Sequence, residues 1–91
     1  MKHNSYFQDK VQSLGLSEKE GPATVGVIEP GKYSFSTANE ERMTIIAGAM
    51  KVRLPGGEWK SLIAGEGFIV PAKVAFEVEA AADVAYICRY R

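Results

Sequence analysis

The chain has 91 residues, with 11 Lys and Arg balanced by 11 Asp and Glu, and a single cysteine. That length holds one domain with a modest core, which buries only about 60–65% of the surface the unfolded chain exposes. Zero net charge with no long run of one sign points away from nucleic acid and from membrane surfaces as partners, and no apolar stretch approaches the roughly 20 residues of a membrane-spanning helix.

Residues 1–15 are polar and mixed, so no signal peptide is expected. Residues 1–8, His3 among them, are expected to be loosely held. From Thr24 onward, turn signals recur about every 8–12 residues, the spacing of an all-β sandwich or barrel. Pro30-Gly31 reads as the centre of a type II turn between Thr24–Ile28 and Tyr33–Thr37. Gly48 separates Met43–Ala47 from Met50–Leu54. Pro55-Gly56-Gly57 breaks the chain before Trp59–Ile63, and Trp59 is expected to pack under the sheet. Gly65 and Gly67 lead into Phe68–Val70, Pro71-Ala72 turns into Val74–Glu79, and Ala80–Asp83 turns into Val84–Tyr90. No segment shows a convincing helical period.

Alternation assigns faces. Tyr33, Phe35 and Thr37 share one side of their strand, with Ser34 and Ser36 opposite. Val74, Phe76 and Val78 share another. Residues 43–54 are apolar on both faces, as expected of a strand covered by a second sheet or a second subunit. In the last strand Arg89 lies opposite Tyr86 and Cys88, and only one of those faces can point inward. Cys88, next to Ile87, reads as a small buried hydrophobe rather than a nucleophile, because no activating base is near it in sequence. A lone cysteine forms no internal disulfide, which fits a cytoplasmic setting.

Two spaced motifs stand out: Glu41-x6-Gly48 within EERMTIIAGAM, and Gly65-x5-Pro71 within GEGFIVPAKVAF. They resemble the two halves of the cupin signature. In metal-binding cupins the first half also carries a His-x-His pair, and the second places a His shortly after the Pro. Here those slots hold Thr37, Asn39 and Phe76. The resemblance implies an all-β, single-domain cupin over residues 1–91, a small β-barrel or jelly-roll-like sandwich, whose pocket has lost its metal. Only one residue separates Asn39 from Glu41, fewer than the cupin pattern usually has, so the register of this part of the pocket is open.

A narrower resemblance covers nearly the whole chain. The run TVGVIEPGKYSFSTANEERMTIIAGAMKVRLPGG, the single Trp59, the run AGEGFIVPAKVAFEV, the ending YICRY and the opening Phe7…Val11-x-Ser13 are similar, in order and spacing, to the small cupin-fold pyrimidine/purine nucleoside phosphorylases. That resemblance implies a homodimeric pentosyltransferase. It would cleave many ribonucleosides with inorganic phosphate as co-substrate, giving free base and ribose 1-phosphate, with no cofactor and no metal.

Phosphorolysis of an N-glycosidic bond develops positive charge at C1′ and negative charge on the departing base. Positioning and electrostatics can supply the catalysis. Glu41 is the catalytic candidate. A carboxylate there could accept hydrogen bonds from the ribose hydroxyls and steady the oxocarbenium; as the alternative, it is a rim carboxylate paired with Arg42, Arg53 or Lys51. Thr37 and Asn39 could bind sugar or phosphate oxygens, or could cap their own loop. Tyr33 and Phe76, with Phe35, Phe68 and Tyr86 as neighbours, could stack any base without reading its edge, or could be ordinary core. For phosphate the candidates are Arg89 first, then Arg42, with Arg53 and Lys73 behind, each also readable as a surface charge. One His, one Cys and no clustered acids make a metal site improbable.

Two further functions compete. A metal-free cupin could sense a sugar or nucleoside without reacting it. It could also isomerise or cleave a small sugar, although the absence of a near-neutral base argues against that.

Overall fold

The computed structural model describes residues 1–91, and every regular element in it is a β-strand. In chain order they are β1 (His3–Tyr6), β2 (Val11–Glu18), β3 (Gly21–Ile28), β4 (Gly31–Ser36), β5 (Glu41–Ala47), β6 (Ala49–Arg53), β7 (Lys60–Ile63), β8 (Gly67–Val70), β9 (Ala75–Ala80) and β10 (Val84–Tyr90). They form two antiparallel sheets, ordered β1-β2-β3-β10-β5-β8 and β4-β9-β6-β7. The strands expected after residue 21 are all present, within a few residues at each end.

The inner faces follow from alternation. Thr24 and Ile28 of β3, Met43 and Ile45 of β5, Met50 and Val52 of β6, Phe76 and Val78 of β9, and Val84, Tyr86 and Cys88 of β10 are buried between the sheets. The outer faces differ in kind. The four-stranded sheet shows solvent a charged surface, where Lys51 and Lys32 flank Glu79 and Arg53 pairs with Glu77. Trp59 sits on this side, half-buried, with Lys32 Nζ 5.2 Å and the Arg53 guanidinium 5.5 Å from its ring centre. It is thus contacted by cations on the outer face rather than tucked under the sheet. The six-stranded sheet instead shows solvent an apolar surface that includes Leu14, Leu16, Val25, Val27 and Ile69, each at least 40% exposed.

Two further local readings change. His3–Tyr6, expected to be loosely held, pairs as β1 with β2, and His3 Nε2 lies 2.9 Å from Gln12 Oε1. Pro30-Gly31 is a corner rather than a type II turn: Gly31 already belongs to β4, with φ of 152°. The reason is topological, since β3 and β4 lie in different sheets and the chain must cross the sandwich instead of folding back on itself. Gly48 makes the equivalent crossing from β5 to β6, with φ of 85°, and a Cβ there would stand 2.5 Å from the Asp83 carbonyl oxygen. A side chain at 48 is excluded on both counts.

Gly26 carries the other close approach. It lies opposite Tyr86 on the inner side of β3, and the Tyr86 ring occupies the space its side chain would fill. A Cβ at 26 would stand 2.5 Å from Tyr86 Oη and 2.7 Å from the Gln12 carbonyl oxygen. Gly26→Ala should therefore cost about 1–3 kcal/mol by forcing Tyr86 and β2 to shift. Gly57→Ala, where the nearest atom is 3.4 Å away, should stay within about 0.5 kcal/mol of the parent. Urea unfolding of the two variants tests the contrast, and equal midpoints would remove the packing argument.

Candidate functional site

Between the sheets, at one end of the sandwich, lies a cavity of about 390 Å³. Its floor is the inner face of β10 with the strands on either side. Register places Tyr86 between Gly26 and Ile45, Cys88 between Thr24 and Met43, and Tyr90 beside Glu41. The walls are aromatic. Phe76 and Phe35 line the cavity with ring centres 5.7 Å apart, and Phe76 continues to Phe68 at 6.0 Å. Tyr6 and Phe7 reach the cavity from the β1–β2 connection, and Ser34 and Ser36 border it on β4.

Glu41 is the one formally charged residue in this lining. It opens β5 on the inner face, is half-buried, and forms no salt bridge. Its partner is the Cys88 thiol, which donates to Oε1 across 3.5 Å. Burial pushes the Glu41 carboxyl above its ordinary value, and the Cys88 hydrogen bond pulls it partly back. The groups around it are held neutral. Burial, with the Glu41 charge behind it, lifts the Cys88 thiol to about 12. Burial likewise lifts Tyr86 to about 12 and raises Tyr90 strongly. Tyr90 Oη lies 3.0 Å from Thr24 Oγ1, and Ser13 lines the cavity beside Tyr86. One carboxylate therefore sits among protonated hydroxyls and a thiol, inside an aromatic box.

The residues singled out from the sequence separate into three groups. Glu41 and Phe76 line the cavity. Tyr33 lies beside the aromatic wall, 6.4 Å from Phe35, but its hydroxyl donates to the Glu29 and Pro30 carbonyls at 2.8 and 3.2 Å and so faces the corner. Thr37 is buried away from the cavity lining. Its hydroxyl donates to the Pro71 carbonyl at 2.7 Å and accepts from the Val74 amide at 3.1 Å, pinning the turn between β8 and β9. Asn39 is exposed in the loop before β5. Arg42 and Arg89 point out of the six-stranded sheet, side by side in register. Arg42 pairs with Glu40 at 3.1 Å, and Arg89 holds Glu18 at 2.8 and 3.3 Å. Strand parity decides this arrangement: once Tyr86, Cys88 and Tyr90 turn inward, Arg89 must turn out.

Tyr6, Phe7, Ser13, Cys88 and Tyr90 are among the lining residues that sequence reasoning did not place in the pocket. Gly26 was the available signal, since a glycine inside a strand marks close approach of another group, and here that group is Tyr86. No three or more His, Cys, Asp or Glu side chains come together anywhere in the chain.

The two-sheet barrel with its open-ended cavity is a cupin fold. An RmlC-like cupin from Shewanella frigidimarina superposes with a TM-score of 0.73 at 16% identity, over 96% of this chain and 79% of that one. The family model for pyrimidine/purine nucleoside phosphorylase matches residues 1–90, and the chain belongs to that family. A pyrimidine/purine nucleoside phosphorylase of Pseudomonas putida is 47% identical over 97% of this chain and 95% of its own length. One from Yersinia pestis is 45% identical over 99% and 97%. A solved structure of a protein of unknown function from Vibrio parahaemolyticus superposes with a TM-score of 0.94 at 40% identity, over 99% of this chain and 97% of that one.

The raised Glu41 pKa has a defined sign for stability. Between its ordinary value of 4.5 and its raised native value, the folded protein keeps a proton that the unfolded chain has lost. This contribution to stability is complete below the unfolded pKa and disappears as pH rises through the native one. Glu41→Gln should remove that decline, so its stability advantage over the parent should grow from pH 4.5 upward. Urea unfolding at stepped pH measures it; parallel curves would mean that Glu41 is not desolvated.

Proposed function

We propose that this protein is a pentosyltransferase that cleaves both purine and pyrimidine ribonucleosides with inorganic phosphate, giving free base and α-D-ribose 1-phosphate, without metal or cofactor. Its family membership supports the reaction class. The observation that carries the reading is the single carboxylate of Glu41, free of any salt bridge and set in an aromatic cavity.

The parts suit the chemistry. A carboxylate without a cationic partner is free to accept from the ribose 2′- and 3′-hydroxyls. As the glycosidic bond stretches and C1′ becomes positive, the same charge stabilises it, and more strongly in a desolvated site than in water. The flat faces of Phe35 and Phe76 offer stacking that is indifferent to the base's hydrogen-bonding edge, which supports a broad substrate range. Phosphate would meet a neutral donor in this cavity, the hydroxyl of Tyr90. Arg42 and Arg89 could act on it only from beyond the sheet, through a rearrangement or a neighbouring subunit. Thr37, and Tyr33 behind the wall, would serve by holding the strands that frame the site, and Asn39 by its place in the loop leading to Glu41.

The working unit in this reading is a cytoplasmic homodimer joined through the outer face of the six-stranded sheet. Its support is the contrast between that apolar face and the charged outer face of the other sheet, since a large exposed apolar patch marks an interface. Val25→Asp, in the middle of the patch, should convert a dimer into a monomer of 9.9 kDa in sedimentation. A parent that sediments as a monomer would remove the dimer from the proposal.

Release of free base from a nucleoside panel, with and without phosphate and in the presence of EDTA, tests the activity. Phosphate-dependent release from both purine and pyrimidine nucleosides, undiminished by the chelator, is expected. Glu41→Ala should lower kcat by about 100- to 1,000-fold with little change in melting temperature. No release from a well-folded protein would leave a ligand-binding module as the better reading, and full turnover in Glu41→Ala would take Glu41 out of the mechanism.

A further inference from the structure

The connection between β1 and β2 is unusual in three ways that coincide. Phe7, Gln8 and Asp9 all adopt left-handed backbone, with φ of 53°, 57° and 68°, a conformation that residues other than glycine take up reluctantly. The turn grows from the edge of the six-stranded sheet, yet its tip crosses to the other sheet. The Phe7 ring rests 5.0 Å from Tyr33 and 5.4 Å from Phe35, edge-on to the latter. And Tyr6 and Phe7 border the cavity that contains Glu41, although both rings remain more than 40% exposed.

Strained backbone persists only where its surroundings hold it. Within the turn the restraints are few. The Lys10 amide donates to the Phe7 carbonyl at 3.2 Å, Ser5 donates to the Asp9 carboxylate, and Gln12 Nε2 donates to the Asp9 carbonyl at 3.0 Å. The side chains involved are exposed. β1 itself is a four-residue edge strand, paired on one side only. Beyond it, the Glu29 amide donates to the Lys10 carbonyl at 2.8 Å, and the contact of Phe7 with β4 is the side-chain tie to the other sheet.

We propose that the Tyr6–Asp9 turn is the lid of this cavity and that Phe7 is its closing residue, swinging from Tyr33 and Phe35 to stack on the base of a bound nucleoside. The lid follows from the geometry alone, whereas its occupant rests on the phosphorylase reading. An aromatic lid adds a second stacking face without adding any edge readout, so it tightens binding while leaving the choice of base open.

Cys88 provides a reporter that does not depend on turnover. It is the only cysteine, it lines the floor of the same cavity, and it is 2% exposed. Its reaction with an aryl disulfide such as 5,5′-dithiobis(2-nitrobenzoate), followed by release of the coloured thiolate, therefore measures how often the mouth opens. Phe7→Ala should be labelled about tenfold faster than the parent, with Phe7→Leu, which keeps an apolar contact, in between. Adenosine or uridine should slow labelling of the parent, and Phe7→Ala should need about tenfold more nucleoside for the same protection. Equal labelling of the parent and both variants, all folded by their melting curves, would overturn the lid. Faster labelling of Phe7→Ala with no protection by any nucleoside would leave the lid standing and count against the phosphorylase reading. Equal protection of parent and variant would show that Phe7 does not touch the base.

Discussion

Glu41 is held half-buried at the start of β5 without a cation, and the inner face of β10 is arranged around it. A carboxylate in such a place carries a desolvation cost that must be offset by hydrogen bonds or by partial protonation. Here the offset is small: one long hydrogen bond from a thiol. The nearest hydroxyl, that of Tyr90 on the facing strand, is spent on Thr24 instead. The charge is thus left under-solvated in the resting protein. That is the usual condition of a group whose best partner is a substrate, and buried titratable groups displaced from their ordinary values cluster at such sites.

Much of the rest follows from keeping that face of β10 clear. Tyr86 can lie flat because position 26 is glycine. Tyr90 can stand beside Glu41 because β10 and β5 pair in the register that sets them opposite one another. The basic residues of the same strands, Arg42 and Arg89, are turned outward and occupied by Glu40 and Glu18. An inward guanidinium would satisfy Glu41 and remove the imbalance. The alternation of β-strands thereby separates two electrostatic environments, paired charges outside and one unpaired charge inside, over a single layer of backbone.

How far this could be read from the residues depended on how one-sided each strand is. β9 alternates cleanly, so the inward Phe76 and Val78 were legible, as was the strand placement from residue 21 onward. β10 reads Val-Ala-Tyr-Ile-Cys-Arg-Tyr, apolar on both faces, and its facing rested on a sheet partner that no local pattern identifies. β2 was missed for the same reason: Leu14 and Leu16 face outward while Val11 and Ser13 face inward, which blurs the period-two signal. The slots of Thr37 and Asn39 were inherited from a motif whose spacing this chain does not keep. With only Glu40 between Asn39 and Glu41, the loop is too short to bring all three side chains to the cavity, and Thr37 was free to become the staple of the Pro71–Val74 turn.

The same shortening leaves Thr37 and Asn39 outside the cavity lining. With no ligand set to converge, the space is taken by rings: Phe76 in the slot of the second-motif histidine, then Phe35, and Phe7 from the opposite sheet. Aromatic walls lower the local dielectric and exclude water, which strengthens whatever a lone carboxylate does to a developing positive charge. They also repel no neutral ligand and discriminate little between flat ones. Under the proposed function, such a lining would move specificity from the edge of the base to the sugar, the part that Glu41 would hold.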